Sequence, residues 1–95
     1  MHEVSEVAIR GRRFVFRRPL ELEESFEHGH YCLYSPEIDQ LMAFDKTPEA
    51  AMQGFADAFC VYWDAFAMAR PSTLDAGARR LQEQLRSLVE RVEEV

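Results

Sequence analysis

The first half of the chain alternates apolar and polar residues, a pattern that predicts β-strands. Phe14 and Phe16, for example, alternate with Arg13, Val15 and Arg17, so one face of that segment is aromatic. Glycines at positions 11 and 29 mark the turns between such runs. We therefore expect an antiparallel sheet of four or five strands across residues 4–44.

The second half changes to a helical period. Thr47 followed by Pro48 is a typical helix start. We expect a helix over residues 48–69, whose polar residues fall within an arc of about 80° at about 100° per residue. Nearly all its remaining surface is apolar, and a sheet covers only one side of a helix. Another element, or another chain, must cover the other side.

A heptad-like seam ends the chain and predicts a second helix over residues 73–93. Ser72 with Asp75 three residues later resembles a capping box. The seam repeats at alternating spacings of four and three, through Leu74, Ala78, Leu81, Leu85, Leu88, Val92 and Val95. Two interpretations stay open, because the seam could pack along the first helix or against another chain. Since the first helix and the seam together offer more apolar surface than one sheet covers, we predict a homodimer to which the C-terminal helix, the first helix or both contribute. The candidate interface residues are Leu74, Ala78, Leu81, Leu85, Leu88 and Val92. The competing outcome is a monomer whose C-terminal helix satisfies the seam along its own first helix.

These elements predict one α+β domain, an antiparallel four- to five-stranded meander followed by two helices. A length of 95 residues fits a single domain. Residues 1–19 would form the N-terminal strands, residues 20–69 the core, and residues 72–95 the C-terminal helix.

The net charge and the cysteine content indicate the cellular compartment and the class of binding partner. The net charge is -6, which favours basic partners and opposes nucleic acid. Two cysteines fit no disulfide framework, and no apolar run approaches the roughly 20 residues that span a bilayer. The start of the chain is polar and acidic, unlike a signal peptide. We therefore expect a cytoplasmic protein with no membrane contact.

An arginine cluster is the best candidate for nucleic-acid contact. It comprises Arg10, Arg12, Arg13, Arg17 and Arg18. Glutamates follow directly and can pair with these arginines across strands. We expect mainly an ion-paired sheet face, with weak nucleic-acid binding as an alternative function.

No catalytic, cofactor or metal site is expected. His28, His30 and Cys32 alternate, as zinc ligands could, but Gly29 places them at a hairpin tip. Asp39 and Asp45 could hold a divalent metal, which keeps a small nuclease-like enzyme as a further alternative.

The stretch HGHYCLYSPEIDQLMAFDKTPEAAMQGFADAF resembles the core of HicB-like proteins. That family typically has a Gly-Tyr segment ending in Pro-Glu-Leu, a short strand, and a Gly-x-Thr-x-Glu-Glu-Ala helix start. The matching positions are Gly29, Tyr31, Pro36, Glu37, Thr47, Glu49 and Ala51. The resemblance covers about residues 20–66. The opening GRRFVFRRPLEL and the leucine heptad also resemble an uncharacterised subgroup of bacterial and archaeal proteins.

The resemblance implies a fold and a class of function. HicB-like proteins have a three-stranded antiparallel sheet and a helix, a partial ribonuclease-H-like fold. The best-known members are non-catalytic antitoxins that bind a small basic, RNA-cleaving toxin, and many repress their own operon through an added DNA-binding segment. Here EIDQL replaces the usual Leu-Pro-Gly-Cys turn and DKT replaces Gly-x-Thr, and no DNA-binding pattern is found. The resemblance therefore implies a regulatory binding protein, with a toxin-like partner and without autonomous operator binding.

Overall fold

The structure, a computed structural model, describes residues 2–95, and of His2 it describes the backbone alone. Five strands and two α-helices occur in the order β1 (His2–Ile9), β2 (Arg12–Glu27), β3 (His30–Tyr34), β4 (Met42–Asp45), α1 (Pro48–Tyr62), α2 (Ala76–Leu88) and β5 (Val89–Glu94). All strand pairs are antiparallel; β1 to β4 form a meander and β5 pairs with β2. The predicted α+β class with four to five antiparallel strands is confirmed.

Two tight turns set the hairpins of the meander. Arg10 and Gly11 have φ of 54° and 75°, and His28 and Gly29 have φ of 52° and 79°. Two consecutive residues with positive φ are typical of the type I′ turn, whose twist matches that of the flanking strands. Glycine is favoured at the second position because it lacks the Cβ that strains this conformation. Both predicted turns are therefore confirmed.

Strand β2 continues through Pro19. The pairing of β1 with β2 shifts between Val4, opposite Leu20, and Glu6, opposite Val15. The β2 residues in between, including Pro19, form an irregularity, so proline's missing N–H interrupts no ladder there. The shift also changes the parity of β1, so that Val4 and Val7 both face the core.

The core lies between the inner face of the sheet and the two helices. Phe14 and Phe16 on β2 meet Phe59 on α1, with ring centroids 5.2 and 5.4 Å from that of Phe59. Leu20 and Leu22 continue the buried face of β2. The even-numbered apolar positions of β2 therefore form the floor of the core, as the alternation predicted.

Helix α1 begins where the sequence indicates. The Thr47 side chain accepts a hydrogen bond from Ala50 N at 3.1 Å, and Pro48 occupies the first turn. The α-helix ends at Tyr62 and continues as a π-helical turn, Trp63–Ala67. The helical segment therefore ends close to the predicted residue 69.

The C-terminal helix is shorter than predicted, and the final segment is a strand. Pro71–Thr73 is a 3₁₀ turn, and Asp75, not Ser72, caps α2 by accepting from Ala78 N at 2.8 Å. The prediction of a helix to residue 93, and of a C-terminal helix over residues 72–95, was wrong because β5 pairs with Arg12 to Phe16 of β2. That pairing buries Val89 and places Glu93 opposite Arg13.

Helix α2 covers the end of the first helical segment and part of the sheet, not the length of α1. It packs mainly on the π-helical turn and on β2. Gln82 is buried, and its Nε2 donates to Phe66 O and Ala69 O, each at 2.8 Å. Arg86 Nε donates to Ala67 O at 2.8 Å. Side chains of α2 thus donate to carbonyls at the helix end, of which Phe66 O also accepts from Ala69 N at 3.2 Å. No helix among residues 2–95 is long and apolar enough to cross a membrane.

Candidate binding surface

The arginine cluster is largely neutralised by carboxylates. Arg10 pairs with Asp57 at 2.7 Å and Arg18 with Glu37 at 2.7 Å. Arg13 lies 2.7 Å from Glu6 and 3.2 Å from Glu93. Within residues 2–95, no ion pair is found for the exposed Arg17. Ion pairs with carboxylates therefore neutralise most of the positive charge of the cluster.

Arg12 makes the most extensive of these contacts. Its two Nη atoms donate to both carboxylate oxygens of Asp64, at 2.8 and 2.7 Å, and Nη2 also contacts Cys60 Sγ at 2.7 Å. The hydrogen bonds from Arg12, with its positive charge, lower the pKa of Asp64, and the Asp64 carboxylate raises the pKa of Arg12. Arg12 thus joins β2 to the end of α1 and to the π-helical turn.

The heptad residues separate into buried and exposed groups. Leu81, Leu85 and Leu88 are buried within the chain, while Leu74 and Ala78 are half-buried. Val92 lies on β5 opposite Phe14 and is exposed. The central leucines therefore pack inside this chain, but against the π-helical turn and β2 and not along α1, and only the ends of the seam remain accessible.

The histidine hairpin is a turn at the surface. His28 and His30 are exposed, and His30 Nδ1 lies 3.1 Å from the carbonyl oxygen of His28. Cys32 is buried on β3. In the part of the chain that the structure describes, no three His, Cys, Asp or Glu side chains gather closely enough to hold a metal ion.

The two candidate nuclease carboxylates have other neighbours. Asp39 lies 3.2 Å from Arg80 Nε, and its backbone N–H donates to Gln84 at 3.0 Å. Asp45 accepts from the Lys46 backbone N–H at 2.7 Å. Asp39 therefore attaches the loop before β4 to α2.

The outer face of β3 and β4 exposes large apolar side chains, a feature that the sequence analysis missed. Tyr34, Met42 and Phe44 are 37%, 48% and 60% exposed. Tyr34 pairs with Met42 and Cys32 with Phe44, so these side chains share one face, opposite to the face that buries Leu33 and Ala43 against α1. We call Tyr34, Met42 and Phe44 the apolar patch. A signal was present in the sequence, because LMAF is apolar at every position and cannot bury both faces under one helix.

Acidic side chains flank the apolar patch on β2. Glu23 pairs with Tyr34 across the β2–β3 ladder, and Glu27 pairs with His30. Since residues opposite each other share a face, both carboxylates border the same open surface. The surface therefore combines exposed apolar side chains with negative charge.

A groove lies on the other face of the sheet, at the start of α1. Its volume is about 460 Å³, and its apolar lining includes Val4, Leu22, Leu33 and Met52. Glu3, Glu24 and Glu49 also line it. The described residues of the lining thus bring three carboxylates together at an apolar groove, which adds acidic surface to this face of the sheet.

Comparison of the chain with protein-family models, with curated proteins and with solved structures gives no match.

Proposed function

We propose that this chain is a non-enzymatic binding protein whose apolar patch takes a small basic protein as its partner. The observation that carries the proposal is the exposure of Tyr34, Met42 and Phe44 on an open sheet face. The solvent face of an antiparallel sheet is usually polar, and contiguous exposed apolar side chains are typical of interaction sites. A partner that covers the patch and removes it from water would therefore be bound with a favourable free energy.

The charge of the surface supports a basic partner. Glu23 and Glu27 border the patch, and the whole chain carries a net charge of -6. Complementary charge accelerates association and disfavours acidic competitors. The ion pairing of Arg10, Arg12, Arg13 and Arg18 also removes most of the positive charge that would attract nucleic acid.

The resemblance to HicB-like proteins supports the same class of function. Gly29 lies in the β2–β3 turn, Pro36 and Glu37 in the loop after β3, and Thr47 caps α1. This order of strand, turn, strand and capped helix is the order that the resemblance implies. Under this proposal the role is regulatory, of antitoxin type, with a small basic toxin as partner. The two free, buried cysteines are compatible with the reduced cytoplasm as its compartment.

The binding test uses the purified chain and a small basic protein encoded by a neighbouring gene. We expect a complex whose affinity falls with salt and falls about tenfold or more in Phe44→Ser, because an exposed aromatic at the centre of an interface is a typical hot spot. Phe26→Ser is the matched control, since Phe26 is 61% exposed but lies opposite Tyr31 on the other sheet face. Equal losses in the two variants would contradict the proposed surface.

Activity measurements separate the alternatives. RNA cleavage that requires magnesium or manganese and is lost in Asp45→Asn would establish the nuclease-like enzyme instead. Salt-sensitive binding of labelled single-stranded RNA that is lost in Arg17→Ala would support the arginine surface. We expect neither result.

The homodimer remains a prediction, but it needs a surface other than the central leucines. Leu81, Leu85 and Leu88 are buried, whereas Val92 and Val95 at the end of the chain are exposed. Sedimentation equilibrium at micromolar concentration measures the mass. A dimer that Val92→Glu dissociates would assign β5 to the interface, and a monomer would overturn the prediction.

A further inference from the structure

The free edges of the sheet differ in the side chains that they expose. β1 exposes Glu3, Ser5 and Glu6, and β5 exposes mainly charged residues. Charged side chains protect an edge against pairing with another chain. Within residues 2–95, β4 pairs with β3 alone, and it exposes Met42 and Phe44 with no charged residue before the exposed Asp45 that ends it. Its edge therefore lacks the protection that β1 and β5 have.

Helix α1 provides an apolar shelf beside β4. Tyr62 Oη donates to Gln40 O at 3.2 Å just before β4, and α1 begins just after it, so helix and strand run antiparallel. Gly54 faces the strand, because a Cβ there would lie 3.5 Å from Ala43 Cβ. At about 100° per residue, a stripe on this side of the helix, about 80° wide, contains Ala50, Gly54, Ala58 and Val61. Val61 is 46% exposed, so the shelf is only partly covered.

We infer that the partner adds a β-strand to the free edge of β4, an inference that rests on the proposed function and specifies its geometry. Backbone hydrogen bonds to Met42–Asp45 would hold the strand. Alternate side chains would extend the apolar patch on the outer face, and the others would contact the shelf of α1. The expected partner strand is therefore apolar on both faces near its centre.

The charge at the end of β4 favours a basic strand over a second copy of this chain. Asp45 and Asp57 line one open cavity of about 400 Å³, together with Ile9, Ala50, Gln53 and Gly54. Asp57 is already paired with Arg10, whereas Asp45 contacts the Lys46 backbone N–H. A lysine or arginine at the end of the added strand would meet Asp45 there. A second copy of this chain also carries a net charge of -6, so the two copies would repel each other.

The experiment selects 12-residue peptides from a phage-displayed random library against the full chain. The tightest binder is synthesised, its affinity is measured by fluorescence anisotropy, and hydrogen exchange of the chain is measured with and without it. We expect a run of consecutive apolar residues with lysine or arginine at its end, and slowed exchange at the amides of Met42–Asp45. N-methylation of alternate peptide amides should weaken binding about tenfold or more, because it removes ladder hydrogen bonds.

Variants of the chain separate strand addition from contact with the face alone. Phe44→Ser and Val61→Lys should each weaken peptide binding about tenfold. Phe26→Ser and Met68→Lys are matched controls, because both side chains are at least as exposed as their counterparts but lie away from the β4 edge. The exchange measurement on the unmodified chain needs no variant, so the test stands even if one variant fails to fold.

Each other outcome overturns strand addition. Binding that depends on Tyr34 and Phe44 but leaves β4 exchange unchanged and tolerates Val61→Lys would support docking on the face, so the proposed function would survive. A library that yields no binder, or a binder whose affinity is unchanged in all four variants, would rule out the β4 edge as the binding site. Binding of the small basic protein encoded by the neighbouring gene would then test the proposed function separately. A dimer that Phe44→Ser dissociates would assign the edge to a second copy.

Discussion

Replacement of Phe59 by alanine tests whether the aromatic contact between sheet and α1 stabilises the fold. Phe59 is 0% exposed, and its ring makes edge contacts with both Phe14 and Phe16. Truncation removes the buried ring and leaves a cavity between two rigid elements. Such replacements cost about 3–5 kcal/mol, of which each ring pair accounts for about 0.5–1.5 kcal/mol.

The expected loss is large compared with the whole stability of a domain, which is about 5–15 kcal/mol. With an m-value of about 1.5 kcal/mol per molar urea, the midpoint of unfolding should fall by about 2–3 M. The single tryptophan, Trp63, contacts Phe14 at a centroid distance of 5.7 Å, so its fluorescence reports on this region. Circular dichroism of the same samples tests whether the transition is two-state.

Phe44→Ala is the matched control for the same chemical change at an exposed site. Phe44 is 60% exposed, so we expect a loss below about 1 kcal/mol. A loss below about 1 kcal/mol for Phe59→Ala, or one equal to that of Phe44→Ala, would refute the reasoning. The core would then not depend on this packing.

Two further predictions concern polar contacts. Asp64→Asn should lower the free energy of unfolding at neutral pH by about 1 kcal/mol or less, because the pair with Arg12 is largely exposed to solvent. Since the pKa of Asp64 is lowered in the folded state, the pair's contribution is present above the ordinary carboxyl pKa and is lost as pH falls through the lowered value. Urea titrations should therefore show a difference between the two proteins at pH 7 that shrinks as the pH falls below the ordinary carboxyl range, and a difference that stays constant with falling pH would contradict the assignment. Gln82→Met should cost about 1–3 kcal/mol, because it removes the buried side-chain donor of Ala69 O and one of the donors of Phe66 O, which also accepts from Ala69 N. The exposed Gln53→Met is its control, and equal effects of the two would show that the Gln82 hydrogen bonds do not stabilise the helix end.

The local features of the fold could be predicted because each depends on residues close together in the chain. Gly11 and Gly29 occupy turn positions with positive φ, and Thr47 caps α1 through its own hydroxyl. The alternation of Phe14 and Phe16 with polar residues determines which face of β2 is buried. These choices follow from backbone sterics and from the period of the apolar residues, so they need no knowledge of the rest of the molecule.

The candidate surface consists of side chains that no other element covers in the folded chain. The periodicity of the sequence does not show which side chains are left uncovered. The alternation placed Tyr34 and Cys32 on one face of β3, but the register with β4 brings Met42 and Phe44 beside them. The exposure of these side chains is known only once both helices are seen on the opposite face. The arginines were expected to pair with glutamates across strands, whereas Asp57 and Asp64 reach two of them from α1 and the π-helical turn.

The C-terminal segment shows most clearly what the sequence by itself determined and what the tertiary structure decided. The leucine spacing specified α2 and its buried face, because a helix needs only contacts within a few residues. Val92 and Val95 continue the same spacing, yet Val89–Glu94 forms β5. The difference comes from β2, about 75 residues earlier, whose edge offers backbone partners and places Arg13 opposite Glu93. The free energy of a strand comes from the neighbour with which it pairs, and that neighbour is specified by the fold and not by the local period.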